Sequence, residues 1–373
     1  MKTFHTAALC AALMLGLTAC GPAKDVKALM ASAGQGDADA QYNLGLRYLT
    51  GDSVGKDASI AVTWFTKAAG QGYAEAQYNL GVCYYHGNGV NKDAVEAVKW
   101  LTKAAGQGLA AAQYSLGWCY LYGENERKDF AEAVTWFRKA AEQGHASAQF
   151  ELGACYYHGT GVGKDFAEAV TWFMKAAGQG HAGAQYNLGV CYYHGYGVGK
   201  DAVEAVKWYT KAVGQGLATA QFELGWCYAN GTGVGKDAAE AVKWYTKAAG
   251  QGYAGAQYNL GVCYANGEGV GKDAAEAVKW FTKAAGQGDA AAQNNLGYCY
   301  ANGEGVGKDA AEAVKWFTKA AEKGNAVAQC TLGECYANGY GIGKDAAEAV
   351  KWFTKAAEQG DAGAQEALRR IIQ

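Results

Sequence analysis

The chain has 373 residues, with 33 Lys and Arg against 35 Asp and Glu and a formal net charge of −2. That balance supplies no basic face, so nucleic-acid binding has no electrostatic support. The 54 glycines against one proline fall at fixed positions, which marks them as helix punctuation and excludes a disordered linker.

The N-terminus is a different kind of sequence from the rest. Met1-Lys2 gives a short positive start, and Ala7 to Leu17 is an apolar run too short to span a bilayer as a mature helix. It ends in Leu17-Thr18-Ala19-Cys20, which resembles the lipobox of bacterial lipoproteins. The resemblance implies a signal peptide over 1–19 and a lipidated Cys20 as the mature N-terminus. Gly21 in place of an aspartate implies sorting to the outer membrane, facing the periplasm or exported to the surface. Acyl chains at about 0.8 kcal/mol per buried methylene make a durable tether, and no other stretch is apolar enough to cross a membrane. A plain cleaved signal, or a chance apolar start on a cytoplasmic protein, are the alternative readings.

After Cys20, residues 20–36 hold a short helix (Val26 to Ala33) that serves as an N-terminal cap. A tryptophan then returns every 36 residues, at 64, 100, 136, 172, 208, 244, 280, 316 and 352, and a glutamine keeps the same beat from Gln41 and Gln77 to Gln365. A fixed period in the 20–50 residue range signals stacked supersecondary units in which each contacts only its neighbours. The expected fold is all-α, an α/α solenoid with nine repeats over 37–360 and a polar capping helix over 361–373, where Glu366, Arg369 and Arg370 replace the repeat's aromatics.

Each repeat reads as two helices. In 73–108 the first carries a stripe of Ala76, Leu80, Cys83 and Tyr84 on one helical face, with Gly81 admitting a neighbouring helix. Gly87-Asn88-Gly89-Val90 makes a turn in which glycine supplies positive φ. Asp93, with Glu96 three positions on, forms an aspartate variant of the capping box. Ala97, Trp100, Leu101 and Ala104 form the buried stripe of the second helix, Trp100 fitting against its small alanine neighbours, while Lys99 and Lys103 lie outside.

Leu80, Gly81, Tyr84, Gly87, Gly89, Val90, Asp93, Ala97, Trp100, Ala104 and Ala105 carry a pattern that resembles the Sel1-like repeat, a relative of the tetratricopeptide repeat. The resemblance covers about residues 37–365. It implies a right-handed superhelix whose first helices line the concave side, and a role as a protein-interaction adaptor, often exported in bacteria. Cysteine-rich relatives from Helicobacter staple each repeat with a disulfide, but the matching positions here hold Ala105 and Gln113.

The cysteines recur on the first helix instead, at Cys83, Cys119, Cys155, Cys191, Cys227, Cys263, Cys299 and Cys335. Like positions of packed helices stand about 10 Å apart, beyond the ~7 Å that a disulfide allows. They are therefore expected to be unpaired, buried small hydrophobes, which is unusual for an exported protein. Cys83/His86, Cys155/His158 and Cys191/His194 invite a metal reading, but a closed zinc site draws about four ligands onto one ion, and stacked helices hold these pairs apart. No metal and no cofactor are expected.

The arrangement implied for the tetratricopeptide relatives puts four variable positions of each first helix on the concave wall. They hold Tyr78, Val82, Tyr85 and His86, then Tyr114, Trp118, Leu121 and Tyr122. Phe150, Tyr157 and His158 follow, then Tyr186, Tyr193 and His194, then Phe222, Trp226 and Asn230. Later repeats end the series on Asn266, Asn302 and Asn338. These are the candidate partner-binding residues, aromatic and His-bearing early, amide-lined late. The competing account packs the aromatics between helices and lets Asn or His simply end a helix before glycine. Glu124-Asn125-Glu126-Arg127 replaces the Gly-x-Gly-Val turn in the third repeat, either a contact point or sequence drift.

No Ser or Cys stands near a His as an activated nucleophile, and the recurrent carboxylates are explained as caps, so no catalytic residue is expected. The leading expectation is a non-enzymatic scaffold that binds a protein or peptide at the cell envelope and meets the membrane only through its lipid. The alternatives are a cell-wall-active or β-lactam-hydrolysing enzyme, as proposed for the cysteine-rich relatives, and a cytoplasmic adaptor.

Overall fold

A computed structural model describes residues 26–123 and 128–372. The lipobox, Cys20 and the substituted turn at 124–127 lie outside the described residues. Among these residues all regular structure is α-helical, in twenty helices. Contacts divide the chain into one compact unit ending at Ala184 and a second beginning at Gln185.

In the first unit, α1 (Val26–Gly34) precedes the pairs α2 (Ala38–Thr50) with α3 (Ala58–Gly70), α4 (Ala74–His86) with α5 (Ala94–Gly106), α6 (Ala110–Tyr122) with α7 (Phe130–Glu142), and α8 (Ala146–His158) with α9 (Phe166–Gly178). The cap helix buries Leu29 and Ala33 against Ala40 and Leu44 of α2. The second unit begins at Gln185, within α10 (Ala182–His194), which leads into α11 (Ala202–Val213). The pairs α12 (Ala218–Asn230) with α13 (Ala238–Gly250), α14 (Ala254–Asn266) with α15 (Ala274–Gly286), α16 (Ala290–Asn302) with α17 (Ala310–Glu322), and α18 (Ala326–Asn338) with α19 (Ala346–Glu358) follow. The closing helix α20 (Ala362–Ile372) carries Glu366 paired with Arg369 and Arg370 on its exposed side.

Local chemistry explains the pairs. Gly87 ends α4 at φ 76° and Gly89 follows at φ 72°, a region open to glycine at no steric cost. Asp93 Oδ1 then accepts from the Val95 and Glu96 amides at 2.8 and 3.1 Å. Its own N–H donates to the Tyr84 carbonyl at 2.9 Å, tying the start of one helix to the end of the other. Glu96 does not return the bond as a capping box requires. It pairs with Lys99 at 2.9 Å, because both lie on the exposed face one turn apart.

The close approach within a pair belongs to the residue after the tryptophan. A Cβ on Gly117 would stand 2.7 Å from the Phe137 ring, and one on Gly81 would stand 2.9 Å from Leu101 Cγ. Phe65, Phe137 and Phe173 are fully buried as a result. The expected burial of the tryptophan stripe is corrected here. Only Trp172 and Trp352 of the series are buried, at 7% exposure, and the others are half-buried. In all nine cases the lysine three positions on sits with Nζ 3.7–4.4 Å from the indole centroid, a cation–π pair that covers the ring from solvent. The indole N–H groups of Trp136, Trp172, Trp208, Trp244, Trp280 and Trp316 are buried and meet no acceptor.

The periodic glutamines form a polar ladder inside each unit. Gln77 donates to the Ala69 carbonyl at 3.1 Å, and Gln107 donates back to Gln77 Oε1 at 2.8 Å. The same glutamine-to-glutamine bond recurs at 71/41, 143/113 and 179/149 in the first unit and at 215/185, 251/221, 287/257 and 359/329 in the second, at 2.7–2.8 Å.

Candidate functional face of the first helices

Positions 78, 82, 85 and 86 share one face of a 3.6-residue helix, and the structure splits them by depth. Tyr78, Tyr114 and Trp118 are buried at 7–8% exposure, so these three are packing residues and not an open wall. Phe150, Tyr186 and Phe222 are half-buried and lie against the neighbouring second helix, with ring centroids 5.9–6.0 Å from Phe173, Tyr209 and Tyr245 respectively.

The outer pair of positions is more open. Tyr85, Tyr157, Tyr193 and Trp226 are half-buried, while His158, His194 and Tyr122 are exposed. His86 is half-buried. Each Tyr-His neighbour pair is set edge to face, with centroids 5.1 Å apart at 85/86, 5.0 Å at 157/158 and 4.8 Å at 193/194, a preferred aromatic geometry. In the second unit Tyr193 also meets Trp226 edge to face at 5.7 Å. In the first, Trp118 and Tyr122 stack at 4.1 Å.

The amides are exposed and locally engaged. Asn230 donates to the Trp226 carbonyl at 2.9 Å, and Asn266 and Asn302 reach Glu268 and Glu304 at 3.4 and 3.3 Å. Asn338 is likewise exposed. Among the described residues no group of three or more His, Cys, Asp or Glu is placed to hold a metal.

Two features of the face were not singled out in the sequence. His145 and His181, each opening a repeat, stack on Tyr114 and Phe150 at 4.8 and 4.6 Å. Burial lowers the pKa of both, that of His181 to about 4. Each accepts an amide bond through Nδ1, from Ala148 and Ala184, so they cap helices as neutral rings. The second feature is Glu151, which is only 8% exposed; burial pushes its pKa up to about 7. Where the two preceding repeats carry Asn79 and Ser115, this one carries a carboxyl, as the sixth does at Glu223, which burial also raises.

The cysteines at 83, 119, 155, 191, 227, 263, 299, 330 and 335 are all free thiols. Burial raises every one, to about 12 at Cys83, Cys119 and Cys155 and to about 11 at Cys263, Cys299 and Cys335. Little thiolate forms at neutral pH, so these behave as small hydrophobes.

Repeated helix pairs, each unable to bury its own face and each closed by the same aspartate cap and glycine turn, define a helical-repeat protein. The Sel1 repeat matches nine consecutive segments, 38–73, 74–109, 110–145, 146–181, 182–217, 218–253, 254–289, 290–325 and 326–361, and the chain belongs to this family. Sel1 repeat proteins are in general scaffolds for protein–protein interaction. A protective antigen present in uropathogenic Escherichia coli strains, which displays this fold, is similar at 35% identity over 92% of this chain and 89% of that one, with a TM-score of 0.59. A Sel1 repeat protein from Oxalobacter formigenes is similar at 33% identity over 93% and 90%, with a TM-score of 0.56. Among curated proteins, the comparison finds no match.

Proposed function

We propose that this protein is a non-enzymatic scaffold of the bacterial cell envelope, tethered through a lipidated Cys20, that binds a protein or peptide along the aromatic face of its first helices. The observation that carries the reading is the half-open rings that recur within each unit, Tyr85 and Tyr157 in the first and Tyr193 and Trp226 in the second, each held by an aromatic neighbour. Rigid aromatic side chains lose little entropy on binding and dominate interface energies. The exposed ends of the same helices, His158, His194, Asn230, Asn266, Asn302 and Asn338, supply polar rim contacts.

The apolar start that ends in Leu17-Thr18-Ala19-Cys20 supports a place at the envelope. The free cysteines are compatible with it, because thiols held near pKa 11–12 by burial resist oxidation.

Photocrosslinking in the native cell, with a probe at Tyr157 or Tyr193, tests the binding face. Discrete crosslinked partners support the scaffold, and their absence at both positions refutes the face. Mass spectrometry of the mature N-terminus tests the tether, since an unlipidated Met1 rules it out.

A further inference from the structure

The glutamine ladder of the second unit has one step where acceptors outnumber donors. In a complete step a single primary amide serves two acceptors. Gln251 Nε2 donates to Gln221 Oε1 at 2.8 Å and to the Gly216 carbonyl at 2.9 Å, and Gln287 repeats both bonds to Gln257 and Gly252 at 2.7 and 2.9 Å. At the next step the donor is Lys323. Its Nζ reaches the Gly288 carbonyl at 2.6 Å, and Gln293 Oε1 receives no bond from the protein. Gln293 is only 4% exposed, and its own Nε2 is tied to the Ala285 carbonyl at 3.1 Å, which fixes the side chain in place.

A cavity of about 470 Å³ opens at this step, between the last turns of α15 and α17 and the first turn of α16. Gly288 and Gln293 line it together with Trp316, Lys319, Glu322 and Lys323. The volume lies in the range of small-ligand sites and is many times that of a water molecule. The surroundings select against ions of either sign. An anion would face the Glu322 carboxylate, the Gln293 and Gly288 oxygens and the negative ends of two helices. An ammonium would face Lys319 and Lys323. Lys319 is held against the Trp316 ring, with Nζ 4.0 Å from the centroid. Lys323 is exposed on a flexible stem, so it can yield the Gly288 carbonyl and stay within reach. A neutral group with two N–H donors and one acceptor meets all of these demands, and the ladder itself uses that group at every complete step.

We propose that this cavity binds a primary carboxamide, either a glutamine or asparagine side chain of a bound polypeptide or a free small amide. Its N–H groups take Gln293 Oε1 and the Gly288 carbonyl as Gln287 takes the equivalent pair one step earlier, and its carbonyl accepts from the displaced Lys323 ammonium. None of the residues proposed for partner contact lines the cavity, so the site stands or falls separately from the aromatic face.

Saturation-transfer NMR on the full chain tests it, titrating propionamide, propionate and N,N-dimethylpropionamide. Saturable binding of propionamide is expected. The charged analogue and the one stripped of donors should each bind at least about tenfold more weakly, a difference of about 1.4 kcal/mol. Lys323→Gln fills the step with the chain's own amide. It should weaken propionamide binding at least about tenfold while its urea midpoint stays at or above that of the wild type. Absence of saturable propionamide binding, equal affinity for either analogue, or undiminished binding to Lys323→Gln overturns the site. N-acetylglutamine N-methylamide then separates the two sources. Tighter binding than propionamide assigns the site to a polypeptide side chain, and weaker binding assigns it to a free small amide.

Discussion

Gln107 donates its side-chain amide to Gln77 Oε1 at 2.8 Å and to the Gly72 carbonyl at 2.9 Å, while Gln77 itself donates to the Ala69 carbonyl at 3.1 Å. One pair of identical side chains thereby joins the end of the second helix to the start of the first and back to the repeat before. Gln77 is 5% exposed, so any bond removed here leaves a buried polar atom. Gln107→Ala is expected to destabilise by about 1–3 kcal/mol, read as a lowered urea midpoint.

The chain already contains one break in this ladder. Lys323 occupies the glutamine position, donates to the Gly288 carbonyl at 2.6 Å, and leaves Gln293 Oε1 buried with no donor. A cavity of about 470 Å³ lies beside it, lined by Gln287, Gln293, Trp316 and Lys323. Lys323→Gln should restore the bond and stabilise by about 1 kcal/mol, read as a raised urea midpoint with an unchanged slope.

Two glycines in neighbouring helices should respond oppositely to the same substitution. Gly117→Ala puts a methyl 2.7 Å from the Phe137 ring, and overpacking of this kind costs about 1–3 kcal/mol. Gly106 has nothing within 4 Å of an added Cβ and ends a helix, so Gly106→Ala should gain up to about 1 kcal/mol. Thermal melts of the two variants check the sign of each.

Glu151 makes stability depend on pH. Its folded pKa is raised from 4.5 to about 7, so the neutral form fits the fold. The stabilisation it lends is complete below the unfolded value of 4.5, declines across the window, and is lost once pH rises through 7. The shift corresponds to about 3 kcal/mol. Facing it are Tyr114, Tyr122 and Cys155, all neutral throughout that window. Glu151→Gln should therefore match the wild-type pH trend below about pH 4.5 and exceed its stability by up to about 3 kcal/mol at pH 8. Parallel denaturation curves at the two pH values give the comparison.

Lys103 lies over Trp100 at 4.2 Å. Lys103→Met keeps the methylene cover and removes the charge, so a loss of about 0.5–1 kcal/mol is expected. The loss should change little with added salt if the pairing is with the ring and not with a distant carboxylate.

Periodicity made the helix pairs, the aspartate caps, the glycine turns and the cysteine positions readable from residue types alone, because each depends on local chemistry. The tryptophan was misread. Trp100 and Leu101 are adjacent and both large and apolar, and pattern alone does not say which faces Gly81. Leu101 does, at 1% exposure, and Trp100 goes to the edge under its lysine. Gln77 served only as a beat, since a bond to a residue thirty positions away has no local signature. On the candidate face the same limit applies. Tyr78 and Tyr186 hold the same position on helices that differ only at Glu75 and Gly183, yet the first is buried at 8% and the second half-buried, a difference the helix's own residues do not announce.

The turn glycine Gly89 carries this neighbour dependence furthest. An added Cβ there would collide with the Ala58 carbonyl at the start of the preceding second helix, and the same holds at Gly161, Gly233, Gly269, Gly305 and Gly341, so these turns are moulded to the repeat before them. A partial copy of a repeat would present a turn with no matching helix end. A whole 36-residue copy brings both halves of every such fit, so gene duplication can lengthen this protein only in complete units.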